Sequence, residues 1–214
     1  MNAIKTHWES VYQNKPPDTV SWYQPRAEQS LALIESITQG RPLRLIDVGA
    51  GASRLVDDLV PQVPVTLLDI SEAALALARQ RLGDRAAQVS WIEGDVTQVA
   101  LPTGAYDIWH DRAVFHFLTE PAQRQAYVRQ LMRALIPDGH VVMATFGEQG
   151  PQRCSGLPAV RYSAQALQEA LGPGFKLLRA FDEDHHTPAG VVQSFLYAHF
   201  QRVSDSLSHR DASG

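Results

Sequence analysis

An apolar run at residues 43–48 breaks into Gly49-Ala50-Gly51, and a periodic apolar segment follows at once, from Ser53 towards Val60. Few arrangements satisfy that order. A strand buried on both faces reads as a near-continuous apolar run. Glycines let the chain turn sharply and leave room for a ligand against the backbone. A helix that starts there aims unpaired N–H groups at whatever lies above the turn. Residues 45–53, LIDVGAGAS, therefore read as the strand, turn and helix start of a nucleotide-binding α/β unit. Asp69 adds weight, because it ends a second apolar run at 65–68. Such folds present a carboxylate to ribose hydroxyls at that place.

The rest of the chain punctuates itself. A helix is expected at 4–13, with Trp8 and Tyr12 four apart on one face, until Pro16-Pro17 stops it. Trp22 and Tyr23 then lie in a turn-like segment before a helix at 26–38. They either pack the N-terminal arm onto the domain or lid a ligand, since each joins a large apolar ring to a polar handle. Strands are expected at 65–69, 88–92, 105–109 and 140–146, with Ser71 capping the helix after the first and a helix at 121–135 before the last. Asp95 lies at another strand end, and His110-Asp111-Arg112 leaves the strand at 105–109. An irregular loop at 147–160 holds Cys154, and a helix capped by Ser163 follows. Strands at 175–181 and 191–200 flank a polar loop at 182–190 that carries His185 and His186. Two strands joined without a helix make a hairpin that closes an otherwise parallel sheet, unlike a plain dinucleotide fold.

Bulk properties narrow the partners. The 214 residues suit one domain over 1–203, with an N-terminal helical arm or lid at 1–40, a core at 41–203 and a flexible tail at 204–214. A net charge of −4 gives no electrostatic case for nucleic acid or an anionic membrane. The single cysteine, Cys154, excludes an intrachain disulfide and a multi-cysteine zinc site, and no metal is expected. The apolar runs fall short of a membrane span, and the cytoplasm is the expected compartment.

Three ligands compete for the glycine turn. A dinucleotide asks for G-x-G-x-x-G, but Arg54 stands at the third position. A nucleoside triphosphate asks for G-x-x-x-x-G-K, which is absent. A nucleoside with a small charged tail asks only for what is present. Asp47 can receive an ammonium group, the turn N–H groups a carboxylate, Asp69 a ribose and Asp95 an adenine amino group. That ligand is S-adenosylmethionine.

Five segments in this order resemble the class I SAM-dependent methyltransferases over nearly the whole chain: LIDVGAGAS, LLDIS, EGDV, YDIWHDRAVFHFL and LIPDGHVVMATF. Ala52-Ser53 departs mildly from the family's further glycine or cysteine. The resemblance is to bacterial small-molecule enzymes, and VSWYQP is also similar to some protein-lysine methyltransferases. It implies a Rossmann-like seven-stranded mixed sheet, order 3-2-1-4-5-7-6 with strand 7 antiparallel, and helices on both faces. It implies S-adenosyl-L-methionine as cofactor, with contacts from Asp47, Gly49, Ala50, Gly51, Asp69, Ile70, Asp95 and Val96 and a lid of Trp22 and Tyr23. The methyl group would pass by direct displacement to S, N or O of a small molecule. A protein lysine, or a SAM-binding module without catalysis, are the alternatives, with an oxidoreductase behind them. His110 and Asp111 are the candidates for proton handling, Arg112 for an anionic acceptor, and His116 and Cys154 for the cleft mouth. His185 and His186 would sit at its rim, in a monomer or homodimer.

Overall fold

The computed structural model describes residues 3–204. The tail expected from residue 204 lies, apart from Ser204, outside the described residues. Helix α1 (Ala3–Asn14) is followed by a short 3-10 turn (Pro17–Thr19) and by α2 (Glu28–Thr38). Strand β1 (Leu45–Val48), α3 (Leu55–Leu59), β2 (Val65–Asp69), α4 (Glu72–Leu82) and β3 (Val89–Glu93) form the first half of the sheet. The second half is β4 (Tyr106–Arg112), α5 (Pro121–Ala134), β5 (Leu135–Phe146), a small hairpin of β6 (Arg153–Cys154) and β7 (Leu157–Pro158), α6 (Ala164–Leu171), β8 (Phe175–His186) and β9 (Val192–Arg202).

The main sheet has seven strands in the order β3-β2-β1-β4-β5-β9-β8. The β1, β2, β3, β4 and β5 pairings are parallel, and β9 runs antiparallel to both β5 and β8. Counting only strands of this sheet, that is the 3-2-1-4-5-7-6 order with an antiparallel seventh strand. Apolar side chains cover both faces. On one, Leu31, Ile34 and Ile37 of α2 and Leu75 and Ala78 of α4 meet Leu45 and Val142. On the other, Tyr127 and Leu131 of α5 and Leu167 of α6 meet Trp109 and Val141. Because its stripe is buried against the sheet, α2 is part of the core, and only α1 and the stretch up to residue 27 form an arm. Ser71 and Ser163 cap α4 and α6, accepting from the N–H of Ala74 and Ala166 at 3.2 and 3.1 Å.

Strands β4, β5 and β8 run further than expected, and the extensions of β4 and β8 move candidate site residues. Strand β4 continues through His110 and Asp111 to Arg112, held by β5 up to Ala144. Strand β8 continues to His186, paired with Val192, so the stretch expected as a polar loop at 182–190 is mostly strand. Alternation along an edge strand can hide in a charged sequence, because the outward positions need no apolar residue.

Candidate functional site

Above the carboxyl ends of β1, β2 and β4 lies a cavity of about 480 Å³, and a smaller one of about 50 Å³ adjoins it. The carboxyl ends of the strands are where open α/β sheets take ligands. Gly49, Tyr12, Trp22 and Arg112 line both cavities and form the partition between them. Asp69, Ile70, Asp95 and Val96 line the large cavity; Asp47, Ala50, Tyr23 and His110 line the small one. Gly51 lines neither, but its N–H anchors the turn beneath them.

The glycine turn is shaped from three sides. Gly49 and Gly51 adopt φ values of 62° and 54°, the left-handed region that glycine enters without strain. A Cβ on Gly49 would overlap the Val114 side chain, and one on Gly51 would overlap the Tyr12 hydroxyl. From below, Asp69 accepts from the N–H of Gly51 at 2.7 Å and of Ser71 at 2.8 Å. One buried carboxylate thereby fixes both the turn after β1 and the start of α4. Burial pushes its pKa up to about 6, against the pull of those two N–H donors. Asp95 is held differently, in a turn in which it accepts from the backbone and hydroxyl of Thr97 at 2.9 and 2.7 Å.

The register of β1 and β4 sets Asp47 beside His110. His110 Nδ1 lies 2.6 Å from Asp47 Oδ1, and Nε2 lies 2.8 Å from the Ser30 hydroxyl of α2. Both ring nitrogens are engaged, so His110 has no free lone pair to take a proton from an acceptor. Arg112 is two residues further along β4 and so on the same face. It donates to the Tyr197 phenol at 3.1 Å and to the Trp22 carbonyl at 2.9 Å, with its guanidinium over the Phe195 ring. Asp111 points the other way. It is fully buried, receives the Tyr127 hydroxyl at 2.5 Å and the N–H of Val114 at 2.9 Å, and lines neither cavity. Its expected role in proton handling is corrected to a structural one: burial raises its pKa to about 6 while it shapes the turn after β4.

His116 also departs from expectation. Instead of reaching the cleft mouth it is fully buried, stacked on Phe146 at 4.4 Å. Its Nδ1 accepts the Phe146 N–H at 3.2 Å, and burial drives its pKa down to about 3. Cys154, on β6, does line the large cavity, with a thiol pKa raised by burial. His185, placed by sequence in a rim loop, is instead a buried residue of β8 whose Nε2–H donates to the Ser21 carbonyl at 2.8 Å. His186 is exposed beside it.

The sequence reading missed α1 as a wall of the site. Trp8 and Tyr12 face the cavity with Trp22 and Phe117, in edge-to-face contacts of 5.6 Å for Trp8–Trp22 and 5.2 Å for Trp8–Phe117. The Tyr12 ring packs on Trp8 and Trp22, with centroids 6.4 and 6.3 Å away. Glu9 reaches across to the N-terminus of α4 and accepts from the N–H of Glu72 at 2.7 Å and of Ala73 at 3.1 Å. Lys5 pairs with Glu93 at the end of β3. The available signal was the i, i+4 aromatic pair with an acidic residue between them.

A family model described as a methyltransferase domain matches residues 45–139, from β1 to the turn before the buried half of β5. Over those residues the chain matches the methyltransferase domain. It is 28% identical to the malonyl-[acyl-carrier protein] O-methyltransferase of Anoxybacillus flavithermus, over 78% of this chain and 65% of that protein. It is 27% identical to thiocyanate methyltransferase 1 of Arabidopsis thaliana, over 85% of this chain and 78% of that one. The fold matches that of the Burkholderia thailandensis 1,6-didemethyltoxoflavin-N1-methyltransferase, solved with 1,6-didemethyltoxoflavin and S-adenosylhomocysteine, with a TM-score of 0.74 at 21% identity over 94% of this chain and 88% of the other. Several of the curated relatives are longer proteins; the chain spans 65, 47 and 53% of three of them. The methyltransferase family uses S-adenosylmethionine, and the residues present fit it. Side chains at Gly49 and Gly51 would overlap the walls of the turn, and the two buried carboxylates, Asp47 and Asp69, match the chemistry that an ammonium group and ribose hydroxyls call for.

Proposed function

We propose that the protein transfers a methyl group from S-adenosylmethionine to a small acceptor whose nucleophilic atom is already ionised, with sulfur the first choice. When bound, the cofactor supplies an electrophilic methyl group on a sulfonium. Everything else falls to the chain. Asp69 is assigned to the ribose hydroxyls, Asp95 with Ile70 and Val96 to the adenine end, and Asp47 with the N–H groups of the glycine turn to the charged tail. Trp22 and Tyr23 cover it.

The observation that carries the acceptor class is Arg112. Among the described residues it is the one lysine or arginine on the wall of the large cavity, and no histidine among them lines that cavity. An acceptor that must lose a proton during attack needs a positioned base. Here the imidazole on the wall of the adjoining small cavity, His110, is bonded at both nitrogens. An acceptor that arrives as an anion needs a counter-charge instead, and a guanidinium held at fixed geometry provides it. The rings of Trp8, Trp22 and Phe117 favour a flat or compact acceptor and exclude water from the displacement. The relative named for thiocyanate, a small sulfur-bearing anion, supports the same class.

The test compares thiophenol with aniline, two acceptors of one shape that differ in whether the nucleophile ionises near neutral pH. Formation of S-adenosylhomocysteine is followed for the wild type and Arg112→Met. Turnover of thiophenol with a KM raised about tenfold or more by Arg112→Met is expected. Preference for aniline, or indifference to the substitution, would overturn the acceptor assignment.

A further inference from the structure

We infer that Tyr12 is the residue that reads the cofactor's positive charge: its ring, with that of Trp22, borders the sulfonium and favours the charged methyl donor over the neutral product. The inference rests on the cofactor assignment just made. That assignment puts the ribose at Asp69, in the large cavity, and the charged tail at Asp47, in the small one. The two arms of the cofactor meet at one atom, the sulfur, which carries the ribose methylene, the tail and the methyl group. A ligand that lies in both cavities therefore has its sulfur where they meet. Among the described residues Tyr12, Trp22, Gly49 and Arg112 line both cavities and so surround that junction.

Charge balance at the junction singles out the rings. Asp47 and Asp69 each line one cavity only, and both have partners assigned on the cofactor. Arg112 brings a second positive charge, which repels a sulfonium. Gly49 offers backbone alone. A cation beside an aromatic ring is attracted by the quadrupole of the ring, and more strongly where water is excluded. The rings of Tyr12 and Trp22 form a corner, with centroids 6.3 Å apart and planes at 75°. Tyr12 is seated at its far end as well: its hydroxyl lies over Gly51, where a side chain would overlap it. Burial, with the charge of Asp69 behind it, pushes the phenol above its usual range. The phenol therefore stays neutral, and recognition of charge falls to the ring rather than to a phenolate. Transfer of the methyl group leaves a neutral thioether, for which the corner has no such attraction. The same two rings thus separate donor from product.

Two measurements on the full chain decide the matter. Calorimetry with S-adenosylmethionine and with S-adenosylhomocysteine is run on the wild type, Tyr12→Phe and Tyr12→Leu. Leucine keeps apolar bulk against the methyl group but has no ring; phenylalanine keeps the ring and loses the hydroxyl. The ratio of the two affinities cancels whatever a substitution does to both ligands alike. In Tyr12→Leu that ratio should move about three- to tenfold against S-adenosylmethionine, and in Tyr12→Phe it should stay within about twofold of the wild type. A ratio unchanged in Tyr12→Leu overturns the inference. So does a ratio that moves as far in Tyr12→Phe, since the ring is then not what reads the charge. The second measurement needs no variant to fold. With carbon-13 in the transferable methyl group, the methyl proton resonance of the cofactor bound to the wild type should lie upfield of the free cofactor's, because ring faces shield it. An unshifted or downfield resonance overturns the inference. A wild type that binds neither ligand removes the cofactor assignment itself, and the role of Tyr12 with it.

Discussion

The two walls of the cavity are built in different ways. The wall formed by the ends of β1, β2 and β3 comes from 50 consecutive positions, Asp47 to Val96, and its shape is set by backbone: two glycines with positive φ, and a carboxylate that accepts from two N–H groups. The opposite wall is assembled from α1, the segment around Trp22, the end of β4, the β6–β7 hairpin and, behind them, β9. Its surfaces are side chains, chiefly aromatic rings around one guanidinium. A backbone cradle suits a ligand that never changes. A wall of side chains from scattered elements can be altered piece by piece without disturbing the cradle. The span matched by the methyltransferase-domain model, 45–139, contains the first wall and reaches the second only through β4 and the loop beyond it.

If the comparison holds, substitutions on the two walls separate in their effects. The largest is expected for Asp69→Ala, which removes the acceptor of two backbone N–H groups as well as the ribose partner. S-adenosylhomocysteine affinity should fall about 10- to 100-fold by calorimetry, as for loss of a charge-assisted bond. An unchanged affinity would put the ribose elsewhere and erase the distinction between the walls.

The next effect is one of pH. The Asp69 pKa, raised by burial to about 6, means that the ligand-free site gains a proton as pH falls through 6. Ligand hydroxyls that donate to Asp69 favour the ionised form. Affinity should therefore be flat above pH 7 and fall about tenfold between pH 7 and pH 5, with proton release on binding near pH 6. Folding responds in the opposite direction. A carboxyl whose folded pKa is raised contributes stability that is fully present below about pH 4 and lost as pH rises through 6. A calorimetric affinity that does not vary from pH 5 to 7 would mean that Asp69 plays no part in binding.

On the other wall, Trp8→Ala should leave S-adenosylhomocysteine affinity within about threefold while raising the thiophenol KM by more, because the ring is lost from an apolar surface shared with Trp22 and Phe117. An equal loss for both ligands would show that α1 serves the cofactor as much as the acceptor. The smallest effect belongs to Glu9→Ala. Removing its carboxylate from the first N–H groups of α4 should cost about 1 kcal/mol or less in chemical denaturation, since Ser71 still caps the helix. A loss of several kcal/mol would mean that the arm is part of the cooperative core.

How much of this could be read from the sequence follows the same division. The cradle was legible because strand, glycine turn and terminal acid are neighbours in the chain, and backbone conformation follows from local residue type. The sheet order came from the resemblance to the methyltransferase family, and the helix missing between the last two strands agreed with it. The far wall was not legible in the same way. His110, Asp111, Arg112 and His116 were all expected to reach the cleft, and β4 was expected to end before them. Once β4 is carried through Arg112, alternation alone puts His110 and Arg112 on one face and Asp111 on the other. His116 lies beyond the strand, and only packing against Phe146 reveals that it is buried. The contacts that anchor the arm lie too far away in sequence to leave a pattern.

Those anchoring contacts also fix a sequence of events. The Trp22 carbonyl is held by Arg112, 90 positions later, and the Ser21 carbonyl by His185, 164 positions later. A chain made from its N-terminus therefore produces the arm long before the groups that fasten it. During synthesis the aromatic residues of α1 have no partner wall until β4 has emerged, and the segment around Ser21 is not secured until β8 has. The wall of aromatic side chains can be fastened only after the strands that carry the glycine turn and Asp69 have been made.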